Sequence, residues 1–235
     1  MIHGLFSVPV YMGKDDSHIP LCEDLFVQAS PYFDQSSPNF DTTLAQYSPG
    51  TGQVSWNPLA LPEIKPFLEF IKAQVIQFLA EGGYSTEYTV EVANLWFNKM
   101  KTGSRHPEHT HYGYSLSGTY YLTTPGDSAK IMMHSIYDAV SHQKLEVKEY
   151  KPFNSYTWWF TTEPGMITLF PSHFKHSVPY SEFEGERRSI AFDIILKPIL
   201  KSKTPTSFLD SLSSTPEVIV TPTVKSKSKS KSKKS

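Results

Sequence analysis

The chain has 235 residues, a formal net charge of −1 and 14% aromatic residues, with 18 Pro and 12 Gly spread along it. That is enough chain to bury a core unaided, and the single cysteine, Cys22, excludes an internal disulfide and a cysteine-built zinc site. The charge is uneven: residues 201–235 hold eight of the 22 Lys and Arg but two of the 23 acids, leaving the tail at +6 and the body at −7, and an acidic body speaks against nucleic acid as its main partner.

Residues 1–10 carry no basic segment and Pro9 interrupts a short apolar run, so no signal peptide is expected. No stretch approaches the roughly 18 apolar residues of a membrane span. With one cysteine, the chain reads as a cytoplasmic protein. Leu5 to Tyr11 is expected to form an edge strand, because Pro9 cannot donate to a central ladder. Residues 30–57, rich in Ser, Pro, Thr, Asn and Gln, read as ordered loop.

A helix is predicted over 62–80. Ile64, Phe67, Leu68, Ile71, Val75, Phe78 and Leu79 recur at helical spacing, Pro62 and Pro66 suit the first turn, and Gly82-Gly83 ends it. The period then changes, and strands are predicted at 88–100, 115–123, 129–134, 145–150, 156–160, 165–170, 175–180 and 187–196. Turns such as Pro125-Gly126-Asp127 and Glu163-Pro164-Gly165 separate several of them. This pattern predicts a mainly β protein, a double-stranded β-helix (jelly roll) with a supporting N-terminal helix. It forms one domain over 1–200, with its β core at 88–196. From Lys201 onward Ser, Thr, Pro and Lys dominate, which predicts a disordered tail suited at most to weak contact with an anionic surface such as nucleic acid.

Four pieces carry chemistry. His109 and His111 stand two apart at the mouth of a strand, where both side chains point to the same side. They can reach one metal ion; the other reading is a surface histidine patch. His176 lies 65 residues later, after a Pro171 corner, on a strand that a jelly roll can fold back onto the pair. His173, at the corner, competes with it but reads as structural or exposed. Arg187 shares a strand face with Ser189, Ala191 and Asp193, leaving room for an anion that Arg can grip through two parallel hydrogen bonds. A surface pair with Glu184 or Glu186 is its alternative. Tyr121 offers a phenol to a carboxylate pocket, or simply packs in the core.

In this order the residues resemble the 2-oxoglutarate- and iron(II)-dependent oxygenases, whose jelly roll carries a His-x-Asp pair on an early strand, a distal His, and then an Arg. A subgroup of such oxygenases from marine bacteria and phages is more similar still. Its H-x-H, S-G-x-Y-Y, F-P, H-x-V and R-x-S pattern stands here as His109 and His111, Ser117 to Tyr121, Phe170-Pro171, His176 to Val178, and Arg187 to Ser189. Tyr120-Tyr121-Leu122 is also similar to prolyl-hydroxylase-type members, in which the second tyrosine touches 2-oxoglutarate.

The resemblance implies that His109, His111 and His176 hold iron(II), and that no catalytic residue is needed beyond the metal centre. 2-Oxoglutarate would bind the metal through its keto-acid end, with Arg187 on the far carboxylate and Ser189 and Tyr121 assisting. Oxidative decarboxylation to succinate would drive hydroxylation of a small molecule or a protein side chain, with ascorbate as a reductant. Loops 101–114 and 135–155 would frame the entrance. One departure stands out: His111 occupies the carboxylate position. Three neutral imidazoles change the charge of the site and leave zinc open. Glu108 is the carboxylate challenger, although Pro107 would then lie mid-strand. Asp193 is the other carboxylate that could fill that place, but it faces the Arg187 side and is expected to pair with that Arg; His106 is expected to lie in the loop.

Two alternatives remain. Gly103, His109 and His111 fit the G-x5-H-x-H opening of a cupin-type metal enzyme that does not use 2-oxoglutarate. However, Ser115 and Leu116 stand where a cupin has its Glu, and the second cupin motif is absent. A non-catalytic jelly-roll binding or structural protein predicts no pocket joining His109, His111, His176 and Arg187.

Overall fold

The structure, a computed structural model, describes residues 7–35, 45–47, 56–126, 130–136 and 146–199. The tail expected at 201–235 and the first two residues of the expected opening strand lie outside the described residues.

The ten described strands are β1 (Tyr11–Lys14), β2 (Ala45–Tyr47), β3 (Tyr88–Lys101), β4 (His106–His109), β5 (Leu116–Thr123), β6 (Lys130–His134), β7 (Thr157–Thr161), β8 (Met166–Pro171), β9 (His176–Val178) and β10 (Glu186–Pro198). They form two antiparallel sheets. The major sheet has the order β1-β8-β5-β10-β3-β2 and the minor one β4-β9-β6-β7. This is the expected jelly roll.

Helix α1 (Ile19–Ala29) and helix α2 (Lys65–Glu81) cover one face of the major sheet. In α2, Ile64 just before the first turn and Phe67, Phe70, Ile71, Val75, Phe78 and Leu79 are buried against Leu95, Phe97, Tyr120, Ile190, Phe192 and Ile194. Its stop is built as the glycine pair suggests. Gly83 takes φ 72°, a left-handed turn cheap only for glycine, and Tyr84 N donates to Leu79 O at 2.8 Å. No described helix is long and apolar enough to cross a membrane.

Three expectations need correction. Helix α1 was not foreseen, although Cys22, Leu25, Phe26 and Ala29 mark its buried stripe; Pro20 at its first turn disguises a helix start as loop punctuation. The opening strand is displaced: β1 begins only at Tyr11, beyond Pro9, though it does lie at the sheet edge. Residues 146–150 form no strand; three of the five are charged.

Gly118 shows how tightly β5 is held. A Cβ there would lie 2.6 Å from the Thr168 carbonyl and 2.7 Å from Leu169 and Phe192 side-chain carbons. Gly118→Ala is therefore expected to destabilise the fold by about 1–3 kcal/mol, the cost of overpacking a filled core. Urea unfolding of the two proteins checks this, and an unchanged midpoint contradicts it.

Candidate functional site

The inward faces of the two sheets enclose a cavity lined by His106, His109, His111 and His176 at one side and by Asn98, Tyr121, Arg187 and Ser189 at another. Strand register explains the convergence. His109 on β4 pairs directly with His176 on β9, which puts both rings on one face with centroids 4.2 Å apart. His111 lies just past the end of β4, before the turn at Tyr112-Gly113. Its backbone N–H donates to Ser172 O at 2.9 Å, which ties it to the corner beyond Pro171. Its ring sits 5.1 Å from that of His109 and 5.2 Å from that of His176. The three residues present nitrogens all within 4.8 Å of one another.

Each of these rings is held by its Nδ1. That atom lies 2.8 Å from Pro107 O in His109, 3.0 Å from Phe174 O in His176, and 3.0 Å from Asp193 Oδ1 in His111. A carbonyl oxygen can only accept, and a carboxylate prefers to, so Nδ1 carries the proton in each ring. Nε2 is then left with its lone pair, the form in which imidazole ligates metals. Burial, reinforced by the neighbouring His109 ring, lowers the His176 pKa to about 3. Burial also lowers that of His109, against a smaller upward pull from its bond to Pro107. Both rings are neutral near pH 7. Trp96 stacks on His111 at 5.6 Å and Phe170 packs on His176 at 4.6 Å, fixing their planes.

Asp193 does not pair with Arg187 as expected. Its carboxylate is 1% exposed. It accepts from Ser117 Oγ at 2.7 Å and from Asn94 Nδ2 at 3.4 Å, besides facing His111. A register shift between Asp193 and Ile194 against β3 marks a bulge at this point. The carboxylate that the resemblance leads one to seek among the metal ligands thus stands against the His111 imidazole instead.

His106 is likewise not in a loop. It belongs to β4, and its ring stacks on His109 at 4.0 Å and 17°. Residues three apart point to opposite faces of a regular strand. Here His106 pairs with Val178 and His109 with His176, so three steps on β4 match two on β9. That is a bulge, which turns both rings inward. It also makes room for Pro107, which lacks the N–H that a regular ladder needs. Glu108, the carboxylate challenger, turns away from the histidines toward His134 and Lys175 and is half exposed. His173 is exposed.

Arg187 is 3% exposed and is the only lysine or arginine among the described residues lining the cavity. Its guanidinium lies 5.1 Å from the Tyr121 ring, and Nη1 approaches Met100 Sδ at 3.4 Å. The surface carboxylates go instead to Arg188, which bonds Glu186 at 2.5 Å and Glu23 at 2.9 Å. A further bulge, in β5 opposite Arg188 and Ser189, sits beside this end of the cavity. Burial raises the Tyr121 pKa, partly offset by Arg187, so the phenol keeps its proton and can donate. Ser189 Oγ is buried and accepts from Asn98 Nδ2 at 3.4 Å. Asn98 is a cavity residue that the sequence did not single out, and His106 is one that the sequence assigns to the loop. Strand alternation from Met100 could have indicated Asn98, whereas the bulge that turns His106 inward has no such signal.

Three nitrogen donors converging between the sheets of a jelly roll could hold a metal ion. Residues 94–193 match the family described as "Putative 2OG-Fe(II) oxygenase". No curated protein matches the chain by sequence. Among solved structures, it is similar to a 2OG-Fe(II) oxygenase family oxidoreductase from Burkholderia pseudomallei, with TM-score 0.51, 15% identity, and 79% of this chain and 84% of that one covered. A Pseudomonas putida prolyl-4-hydroxylase gives 0.50, 14%, 81% and 94%. HygX from Streptomyces hygroscopicus, solved with nickel and 2-oxoglutarate bound, gives 0.51, 11%, 82% and 84%. These likenesses are of fold. The cofactors of the family are iron(II) and 2-oxoglutarate. Three convergent imidazoles fit such a metal, and a buried guanidinium in the same cavity fits a carboxylate. Neither the cupin-type nor the non-catalytic alternative accounts for both.

Two predictions follow from the Nδ1 bonds and the burial. Asp193→Ala is expected to weaken Ni(II) binding by about 10–100-fold, as loss of a partner behind a metal ligand does; calorimetric titration measures it, and an unchanged affinity contradicts the assignment. The metal-free chain should also lose stability as pH falls from about 6.5 toward about 3. Over that range the unfolded chain takes up a proton on His176 that the folded one refuses, so the depressed pKa contributes stability above pH 6.5 and loses it below. Urea midpoints across that range test this, with a flatter profile expected for His176→Phe.

Proposed function

We propose that this chain couples oxidative decarboxylation of 2-oxoglutarate to hydroxylation of a substrate C–H bond. His109, His111 and His176 hold iron(II) through Nε2, and Arg187, with Tyr121 and Ser189, receives the far carboxylate of 2-oxoglutarate. The observation that carries this is the convergence of three imidazoles whose Nδ1 atoms are each committed to an acceptor, in a cavity shared with one buried arginine.

When bound, the metal and 2-oxoglutarate supply the oxidising chemistry: one oxygen atom of dioxygen enters succinate, the other the product, and carbon dioxide leaves. The chain's own contribution is positional. Asp193, Pro107 O and Phe174 O keep the three rings in one tautomer. Arg187 fixes the far end of the diacid through charge-assisted hydrogen bonds, and the protonated Tyr121 phenol is suited to add another. Phe170, Ile131 and Val178 form apolar wall between the sheets and limit water around the reacting atoms.

We place a small molecule or a protein side chain as the substrate. Supporting this breadth, the similar structures include a prolyl-4-hydroxylase and a HygX complex with hygromycin B. The net charge of −7 on the body argues against nucleic acid there, while the +6 tail is left to weak anionic contacts. A reducing, cytoplasmic setting suits iron(II) and the single buried Cys22.

Succinate release tests the assignment. Purified protein with iron(II), ascorbate and 2-oxoglutarate should form succinate slowly without added substrate. His176→Ala should abolish this and His173→Ala should not. Arg187→Ala should keep the metal and bind 2-oxoglutarate about 10–100-fold more weakly, as expected for losing hydrogen bonds to a charged group. Unchanged 2-oxoglutarate affinity in Arg187→Ala would overturn the role of that residue.

A further inference from the structure

On the back of the minor sheet, away from the cavity, lies a second polar cluster that the metal site does not use. His134 on β6 is 4% exposed. Its Nε2 lies 2.8 Å from Ser177 Oγ on β9. Its Nδ1 lies 3.3 Å from Glu108 Oε1 on β4, and Glu108 Oε2 lies 3.6 Å from Lys175 Nζ. The backbone joins in, since His134 N donates to Lys175 O at 2.9 Å.

These residues are sequence neighbours of the ring-bearing positions. Glu108 precedes His109, and Ser177 follows His176. His134 follows Met133, which pairs with His176 across the β6–β9 ladder. Since alternate strand residues face opposite ways, three adjacent strands each send one side chain inward, His109 and His176 to the cavity and Met133 to the apolar cluster beside it, and a neighbouring one outward to this cluster. One imidazole spans the two outward neighbours, through a hydrogen bond with Ser177 and a 3.3 Å charge contact with Glu108 that is not aligned as a hydrogen bond.

The minor sheet needs such a bridge. β9 has three residues and β4 has four, one of them Pro107 without an N–H and two of them at a bulge. So short and broken a ladder holds its register weakly. Yet the His109–His176 spacing depends wholly on that register.

We propose that His134, bridging Glu108 and Ser177, is a positioning residue for the metal site: it locks β4 against β9 from behind and thereby sets the distance between His109 and His176. The proposal rests on the reading of those histidines as metal ligands. The serine–imidazole–carboxylate order is also that of a hydrolytic triad, but Ser177 is 7% exposed on the back of a sheet, which suits a strut and not a nucleophile.

The test uses the full-length chain, freed of metal and titrated with Co(II), whose visible bands report coordination geometry. His134→Phe fills the space but removes both polar contacts. It should fold with a thermal midpoint close to that of the unaltered protein, bind Co(II) about 10–100-fold more weakly and show altered bands. His134→Gln, which can still bond Ser177, should recover part of the loss. Met132→Leu, on the same face of β6, should change neither affinity nor bands. Adding Glu108→Gln to His134→Phe should cost no further affinity, because both act through one bridge. Unaltered affinity and bands in a folded His134→Phe would overturn the proposal while leaving the metal site standing. An equal loss in Met132→Leu would also overturn it, by making the effect general to the sheet. An unaltered chain that binds no Co(II) would remove the metal reading and the proposal together.

Discussion

The arrangement between the sheets depends on where three histidine protons sit. An imidazole can ligate a metal through either nitrogen, and a buried one with both free has no reason to choose. Here the choice is made by acceptors behind the rings: two backbone carbonyls for His109 and His176, and the Asp193 carboxylate for His111. Asp193 is itself held by Ser117, and Ser117 by Ser172, whose carbonyl receives the His111 N–H. This closed loop of hydrogen bonds joins β5, β10 and the corner after β8. It fixes the one ring that lies outside a strand ladder, and with it the third donor.

The fold supplies this geometry through irregularities more than through its regular ladders. Register breaks fall in β4 between His106 and His109, beside Asp193 in the β10–β3 pair, and beside Ser189 in the β10–β5 pair. The first turns His106 inward, and the other two place their extra residue in β3 and β5, beside β10, all of them close to the cavity, where bulges recur. The helices contribute at a distance. By packing α1 and α2 on the far face of the major sheet, Phe67, Phe70, Ile190 and Phe192 make that sheet a rigid floor against which the shorter minor sheet is set.

Much of this was legible in the residues and some was not. Periodicity located α2 and most of the strands, and alternation placed Arg187, Ser189 and Ala191 together because that part of β10 is a regular ladder. Helix α1 went unread because its proline and acids resemble loop punctuation, although its buried stripe is regular. Asp193 lies on the face that alternation gave it and differs only in its partner; His106 was misplaced for a different reason. A bulge inserts one residue without any compositional mark, so two-residue counting fails exactly where the strand is broken. The same irregularity makes Pro107 acceptable in a strand that propensity alone would reject.

The central claim is that three imidazoles form the metal face and that the carboxylate acts one bond behind it. The most direct measurement is diffraction from anaerobic crystals loaded with iron(II) and 2-oxoglutarate. The account predicts a metal bonded to Nε2 of His109, His111 and His176, with Asp193 still bonded to Nδ1 of His111. A metal bonded to an Asp193 oxygen in place of His111 would contradict it.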